Sequence, residues 1–194
     1  RAVPAAQVAD WGERLAAAAG VHGLQPPEFR SDVVFPARFN TLLDECDNKS
    51  LVLSRVSLQL LGQVWSPAGD EPGLVISDKH GGRNRYGELL SEVAGEEFLL
   101  TLEEGPRCSR YRVRATELRF QAGGEEHFPV AVASLISKYV REVVLEAFNQ
   151  FWIRQLPGLR PTKGYPVDAR RFREAVEGIR QERRIPEEHF WRRK

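Results

Sequence analysis

The spacing of apolar residues changes several times along the chain, and each change marks an element. Residues 5–19 (AAQVADWGERLAAAA) are alanine-rich and amphipathic, a helix that Gly20 ends. Residues 20–36 carry glycines, the Pro26-Pro27 pair and Pro36, and read as a connecting segment. A cap signal at Asp47-Asn48-Lys49-Ser50 precedes LVLSRVSLQLLGQVW, whose Leu51, Leu58 and Leu61 fall near one helical face. A loop, SPAGDEPG, follows. Leu74-Val75-Ile76 is too short for a helix and is bounded by Gly73 and Gly81-Gly82, so it predicts a buried strand ending in Ser77-Asp78.

RNRYGELLSEVAG then predicts a helix stopped by Gly95. FLLTLEE, SRYRVRA and TELRFQA cluster or alternate as strands. From Val130 a long helical pattern runs to Pro157, and the loop PGLRPTKGYP leads to a last helix, VDARRFREAVEGIRQ, with Asp168 in its first turn and Arg180 near its end. This order of elements predicts an α/β or α+β layered protein. We expect a helix and linker over residues 1–30 and a main domain over 31–194. The chain starts at Arg1 and contains no methionine, which reads as a processed product or a segment of something longer.

Composition narrows the class. Of 194 residues, 42% are hydrophobic and 28% charged, enough to build a core, which excludes disorder. No apolar run approaches the roughly 20 residues of a membrane span, and no signal peptide is evident, so a soluble cytoplasmic protein without a membrane partner is expected. Cys46 and Cys108 lie too far apart for a CxxC metal site and are too few for a disulfide framework. No GxSxG, HExxH or Walker run occurs, and His22, His80, His127 and His189 give no zinc spacing.

A net charge of +1 conceals an asymmetry: residues 1–137 carry 14 basic and 19 acidic side chains, residues 138–194 carry 14 and 8. A basic final third suits a partner with a line of phosphates, although excess arginine also decorates ordinary solvated helices.

Three places carry candidate chemistry. Asp78 ends a strand, where functional groups of α/β sheets gather, although a lone strand-end Asp is more often a turn cap. Paired glycines and Arg83, Asn84, Arg85 and Tyr86 follow it, supplying close backbone approach, phosphate contacts and a stacking surface. Glu125 and Glu126 follow Gly123-Gly124 before the long helix. Glu142 lies on that helix beyond Ser134 and Lys138, which are spaced i and i+4. Carboxylates from three elements meeting at one sheet end would suit Mg²⁺ or Mn²⁺. His80 and His127 adjoin these acids, in the position of a proton shuttle.

The run Ala133-Ser134-Leu135-Ile136-Ser137-Lys138-Tyr139-Val140-Arg141-Glu142, with Lys163-Gly164-Tyr165 some 20 residues on, resembles the ribonuclease HII signature. Ile76-Ser77-Asp78 is similar to that family's strand ending in Asp-Gly, and Phe39-Asn40 to its Asn before a helix. The resemblance spans about residues 38–178. It implies a ribonuclease-H-like fold, with a central mixed sheet flanked by helices and a C-terminal helical extension. It also implies Mg²⁺- or Mn²⁺-dependent, two-metal hydrolysis of RNA in RNA/DNA hybrids or at a ribonucleotide embedded in DNA. Carried over by position, Asp78, Glu125 or Glu126, and Glu142 would be catalytic, with Asp78, Glu126 and Glu142 holding the metal and Asp78 at the end of the central strand. Tyr165 would pack on the sugar at the RNA–DNA junction, and Ser134, Lys138 and Lys163 would line the backbone track. Arg83 and Arg85 join them as nucleic-acid contacts.

The family's first-strand Asp-Glu-Ala-Gly-Arg-Gly run is not found; Asp44-Glu45 is followed by Cys46-Asp47. Two reference aspartates read as Glu, and Pro166 replaces a glycine. In a complete chain another segment, such as Val33-Val34-Phe35, would have to supply the missing strand. The alternative is a non-catalytic nucleic-acid-binding or protein-interaction domain on the same fold. The tail's Phe190 and Trp191 are expected to dock on the domain.

Overall fold

The computed structural model describes residues 3–25 and 27–193. The chain divides into two units, Arg1–Ser31 and Asp32–Lys194. In the first, α1 (Ala5–Val21) forms from the alanine-rich stretch, and none of its residues is buried. Val8, Trp11 and Leu15 lie along it with about half or more of their surface exposed.

The second unit begins with an element that the apolar pattern did not announce. Pro36 opens α2 (Pro36–Cys46), its fixed φ suiting the first helical turn. Val33-Val34-Phe35 leads into this helix as irregular chain and not as a strand, which corrects the expectation that it replaces a first strand. Asp47 breaks α2 in the left-handed region (φ 48°). Asn48 then caps α3 (Lys49–Leu61), accepting hydrogen bonds from the Ser50 and Leu51 backbone N–H groups.

β1 (Gly73–Asp78) precedes α4 (Gly87–Ala94), and β2 (Leu99–Glu104), β3 (Cys108–Val113) and β4 (Thr116–Gln121) follow. They make a four-stranded mixed sheet in the order β1-β4-β3-β2. β2, β3 and β4 are an antiparallel meander joined by short turns, and β1 pairs with β4 in parallel. The Asp78 strand is therefore an edge strand, not the central one that the resemblance implied. The hairpins place β2, β3 and β4 side by side, so β1 joins at an end of the meander, and it takes the free side of β4. A central strand would be buried on both faces; at the edge Leu74 stays 55% exposed.

Alternation along β3 and β4 gives them two unlike faces. Tyr111, Val113, Leu118 and Phe120 point to one side and meet Leu58 of α3 and Leu89, Leu90 and Ala94 of α4. Fully burying such side chains contributes about 1.5–3 kcal/mol each. On the other side Arg110 and Arg119 both hydrogen-bond Glu117, and Arg112 stands 3.9 Å from it.

After a 3₁₀ turn (Gly124–Glu126), α5 (Phe128–Gln155) runs for 28 residues. Its buried residues lie in its last third, where Trp152 packs with Leu159 of the following connection, Phe172 and Val176 of α6 (Pro166–Glu182) and Phe190 of α7 (Glu187–Phe190) in a second core. The tail thus docks through Phe190, with Trp191 packed against the same cluster. Asn40 on α2 secures it, donating to the Glu188 and Trp191 carbonyls and accepting from the Arg193 N–H. Asn40, expected to precede a helix, lies inside α2. No described helix is long and apolar enough to cross a membrane.

Candidate functional site

At the ends of the parallel pair, Asp78 sits opposite Gln121. The chain leaves β4 through Gly123 (φ 75°) and Gly124, which lies directly over Asp78. A Cβ on Gly124 would stand 3.2 Å from the Asp78 backbone, so only glycine fits without a shift. The Gly124 N–H donates to Asp78 Oδ1 (3.2 Å), making this carboxylate the support of the 3₁₀ turn.

The other acids are engaged separately. Glu125 Oε1 accepts from Ser134 Oγ and lies 3.9 Å from Lys138 Nζ. Glu126 is exposed. Glu142 lies eight residues beyond Ser134, about 12 Å along the helix, and pairs with Arg141 at 2.5 Å. Among the described residues no three or more His, Cys, Asp or Glu side chains gather closely enough to hold a metal ion. The structure brings Asp78 and the Gly124-Glu125 turn together; it does not bring Glu142 to them.

The segment from Lys79 to Tyr86 mostly serves its own loop. Lys79 Nζ reaches the Gly105 and Arg83 carbonyls, Asn84 Oδ1 and Ser109 Oγ. Desolvation there lowers its pKa. His80 is buried, with Nδ1 3.1 Å from Ser54 Oγ and Nε2 3.4 Å from Ser77 Oγ. Ser54 Oγ donates to the Ser50 carbonyl and is therefore placed to accept from an Nδ1–H of His80. Burial, then the nearby Arg83 charge, pushes the imidazole pKa down. His80 is a structural histidine.

Tyr86 Oη accepts from the His80 N–H, and its ring stacks on Phe120 at 3.9 Å. The Tyr86 N–H in turn donates to Tyr111 Oη, which hydrogen-bonds Glu104. These bonds hold residues 83–86 outside α4, which is why that helix starts four residues later than its pattern predicts. Arg83 and Arg85 are left over. The Arg85 side chain is 89% exposed, leaning towards Glu104 at 3.7 Å.

On α5, Ser134, Lys138 and Arg141 follow one another at i, i+4 and i+7, a single stripe. Arg141 extends that stripe to the α5–α6 connection: its guanidinium donates to the Lys163 carbonyl (2.6 Å) and stands 5.9 Å from the Tyr165 ring centre. The connection is rigidly built. Buried Asn149 exchanges two hydrogen bonds with the Thr162 backbone. Asp168 Oδ2 accepts from Thr162 Oγ1 and the Lys163 N–H, and with Arg171 beside it the carboxyl titrates at about 2. Gly164 (φ 76°) makes the turn. Lys163 and Tyr165 are presented outward, the tyrosine 64% exposed.

Arg141 was not among the expected site residues, although its spacing from Ser134 and Lys138 was the signal. The arginines of the open sheet face were also missed, and the alternation of SRYRVRA was the signal there. Glu117 among them titrates at about 2, held down first by its hydrogen bond from Arg110 and then by that from Arg119.

No protein-family model, curated protein or solved structure matches the chain.

Proposed function

We propose that Asp32–Lys194 is a non-catalytic nucleic-acid-binding domain on a ribonuclease-H-like scaffold, gripping the sugar-phosphate backbone along α5. The observation that carries this reading is the continuity of the Ser134–Lys138–Arg141 stripe with the Lys163-Gly164-Tyr165 turn. Hydroxyl, ammonium and guanidinium groups contact phosphates, and an exposed ring on a rigid turn offers a stacking surface for a base or sugar. The surplus of basic over acidic side chains in residues 138–194, the segment that carries this track, supports the same reading.

A second reading, the metal-dependent ribonuclease of the ribonuclease HII type, is favoured by one feature. Asp78 ends a strand beside its parallel neighbour, with Glu125 and Glu126 just beyond. Mg²⁺ or Mn²⁺ there would need Asp78, Glu126 and Glu142 to converge, and the separate engagement of Glu142 argues against it. The readings part on one assay: a DNA duplex carrying a single ribonucleotide, incubated with Mg²⁺ or Mn²⁺ and wild type or Asp78→Asn. Salt-sensitive binding by both proteins without cleavage is expected. Cleavage by wild type that Asp78→Asn abolishes would establish the nuclease.

A further inference from the structure

Of the two arginines that the β1–α4 loop's own hydrogen bonding leaves over, Arg83 is the one with no carboxylate beside it among the described residues. Its side chain is partly buried, its Nε is sealed from water without a hydrogen-bond partner, and it has no ion pair among the described residues. A buried guanidinium N–H without an acceptor is costly, and an anion meeting the same fork offsets that cost. The guanidinium lines an open depression of about 450 Å³ together with Ser50, Gly82, Asn84 and Arg85. No carboxylate lines that space. Gly82 has open room around its Cα, so a ligand can approach the backbone closely. Two further observations fix the walls. Ser50 Oγ is tied to the His80 carbonyl, and Lys79 bonds both the Arg83 carbonyl and Asn84 Oδ1. The depression is therefore preformed, and its charged donors are the two guanidinium groups, that of Arg85 standing 3.7 Å from Glu104.

We propose that this depression binds a phosphate group, with the Arg83 fork as its anchor and Arg85 as an outer, mobile contact. Guanidinium matches phosphate geometry through paired N–H donors, and charge-assisted bonds of this kind are the strong ones. The inference deepens the nucleic-acid reading: the phosphate would belong to the bound strand, at a point separate from the α5 track. A free phosphorylated small molecule presents the same chemistry, and the experiment separates the two sources.

The test is an NMR titration of the full chain with inorganic phosphate, then with a short oligonucleotide bearing a 5′-phosphate or a 5′-hydroxyl. Saturable shifts at the Ser50, Gly82, Arg83 and Asn84 amides are expected with phosphate, weakened about tenfold or more by Arg83→Gln. Lys138→Gln is expected to leave the phosphate titration unchanged while weakening the oligonucleotide. Tighter binding of the 5′-phosphorylated oligonucleotide than of either phosphate or the 5′-hydroxyl form assigns the site to the strand. Phosphate binding without any oligonucleotide binding keeps the site and overturns the nucleic-acid reading. Absence of saturable shifts in wild type, or equal affinity in Arg83→Gln, overturns the phosphate site whatever the oligonucleotide does. Should Arg83→Gln fail to fold, Arg83→Lys replaces it: it keeps the charge but loses the fork, and undiminished affinity overturns the assignment.

Discussion

The β1–α4 loop and the α5–α6 connection read alike as sequence: each is short, glycine-bearing and rich in basic and aromatic residues. In the structure they divide their side chains differently. Between Lys79 and Tyr86 the ammonium, imidazole and phenolic groups turn inward and bond backbone and hydroxyl groups of the loop and of the elements packed on it, leaving only Arg83 and Arg85. Between Arg160 and Asp168 that task falls to Asn149 and Asp168 from the flanking helices, and Lys163 and Tyr165 are free to face outward. The lesson is that buried backbone groups claim polar side chains first, and recognition is left to the remainder.

The comparison is most sharply tested by removing the inward-facing groups. Asn149→Ala leaves both the Thr162 N–H and carbonyl without their buried partner, and a loss of about 2–4 kcal/mol is expected, read as a lower urea midpoint at unchanged slope. Tyr86→Phe keeps the stacking on Phe120 but deprives the buried His80 N–H of its acceptor, for about 1–3 kcal/mol by the same measurement. Gly124→Ala forces a Cβ against the Asp78 backbone and is expected to cost about 1–3 kcal/mol.

A smaller effect depends on pH. The Asp168 carboxyl titrates at about 2 in the folded chain, below its ordinary value of 3.8. Its stabilisation is therefore full above the ordinary carboxylate range and is lost as pH falls from about 4 towards 2. Asp168→Asn should flatten that part of a stability–pH profile and leave neutral-pH unfolding midpoints closer together at acid pH. Smallest in stability is Arg141→Gln, at an exposed position. Its expected effect is on binding, with the salt slope reduced by slightly less than one unit.

The alternation of β3 and β4, the cap at Asn48 and the helical stretch of α5 were legible because each is a local pattern with one structural solution. Two features were not. Three apolar residues at 74–76 fit a central or an edge strand equally, and the consecutive pairing of β2, β3 and β4, which leaves only the meander's ends open, decides between them. Arg-Asn-Arg-Tyr at 83–86 suits a helix, but Tyr86 is held by Tyr111, 25 residues away. The same limit applies to the site. Lys138, Lys163 and Tyr165 could be named from motif resemblance, whereas Arg141 acquires its place through a contact 22 residues distant. The convergence of carboxylates was inferred from the order of the elements, although eight helical residues at 1.5 Å each already put Glu142 about 12 Å along the helix from Ser134.

The most direct test of backbone binding by the α5 track is the salt dependence of duplex affinity, measured for wild type and for Lys138→Gln/Arg141→Gln/Lys163→Gln together. Wild type is expected to give a steep linear fall of log K with log salt, and the triple variant a slope shallower by about 2–3. A wild-type affinity indifferent to salt, or an identical slope in the triple variant, would contradict the account.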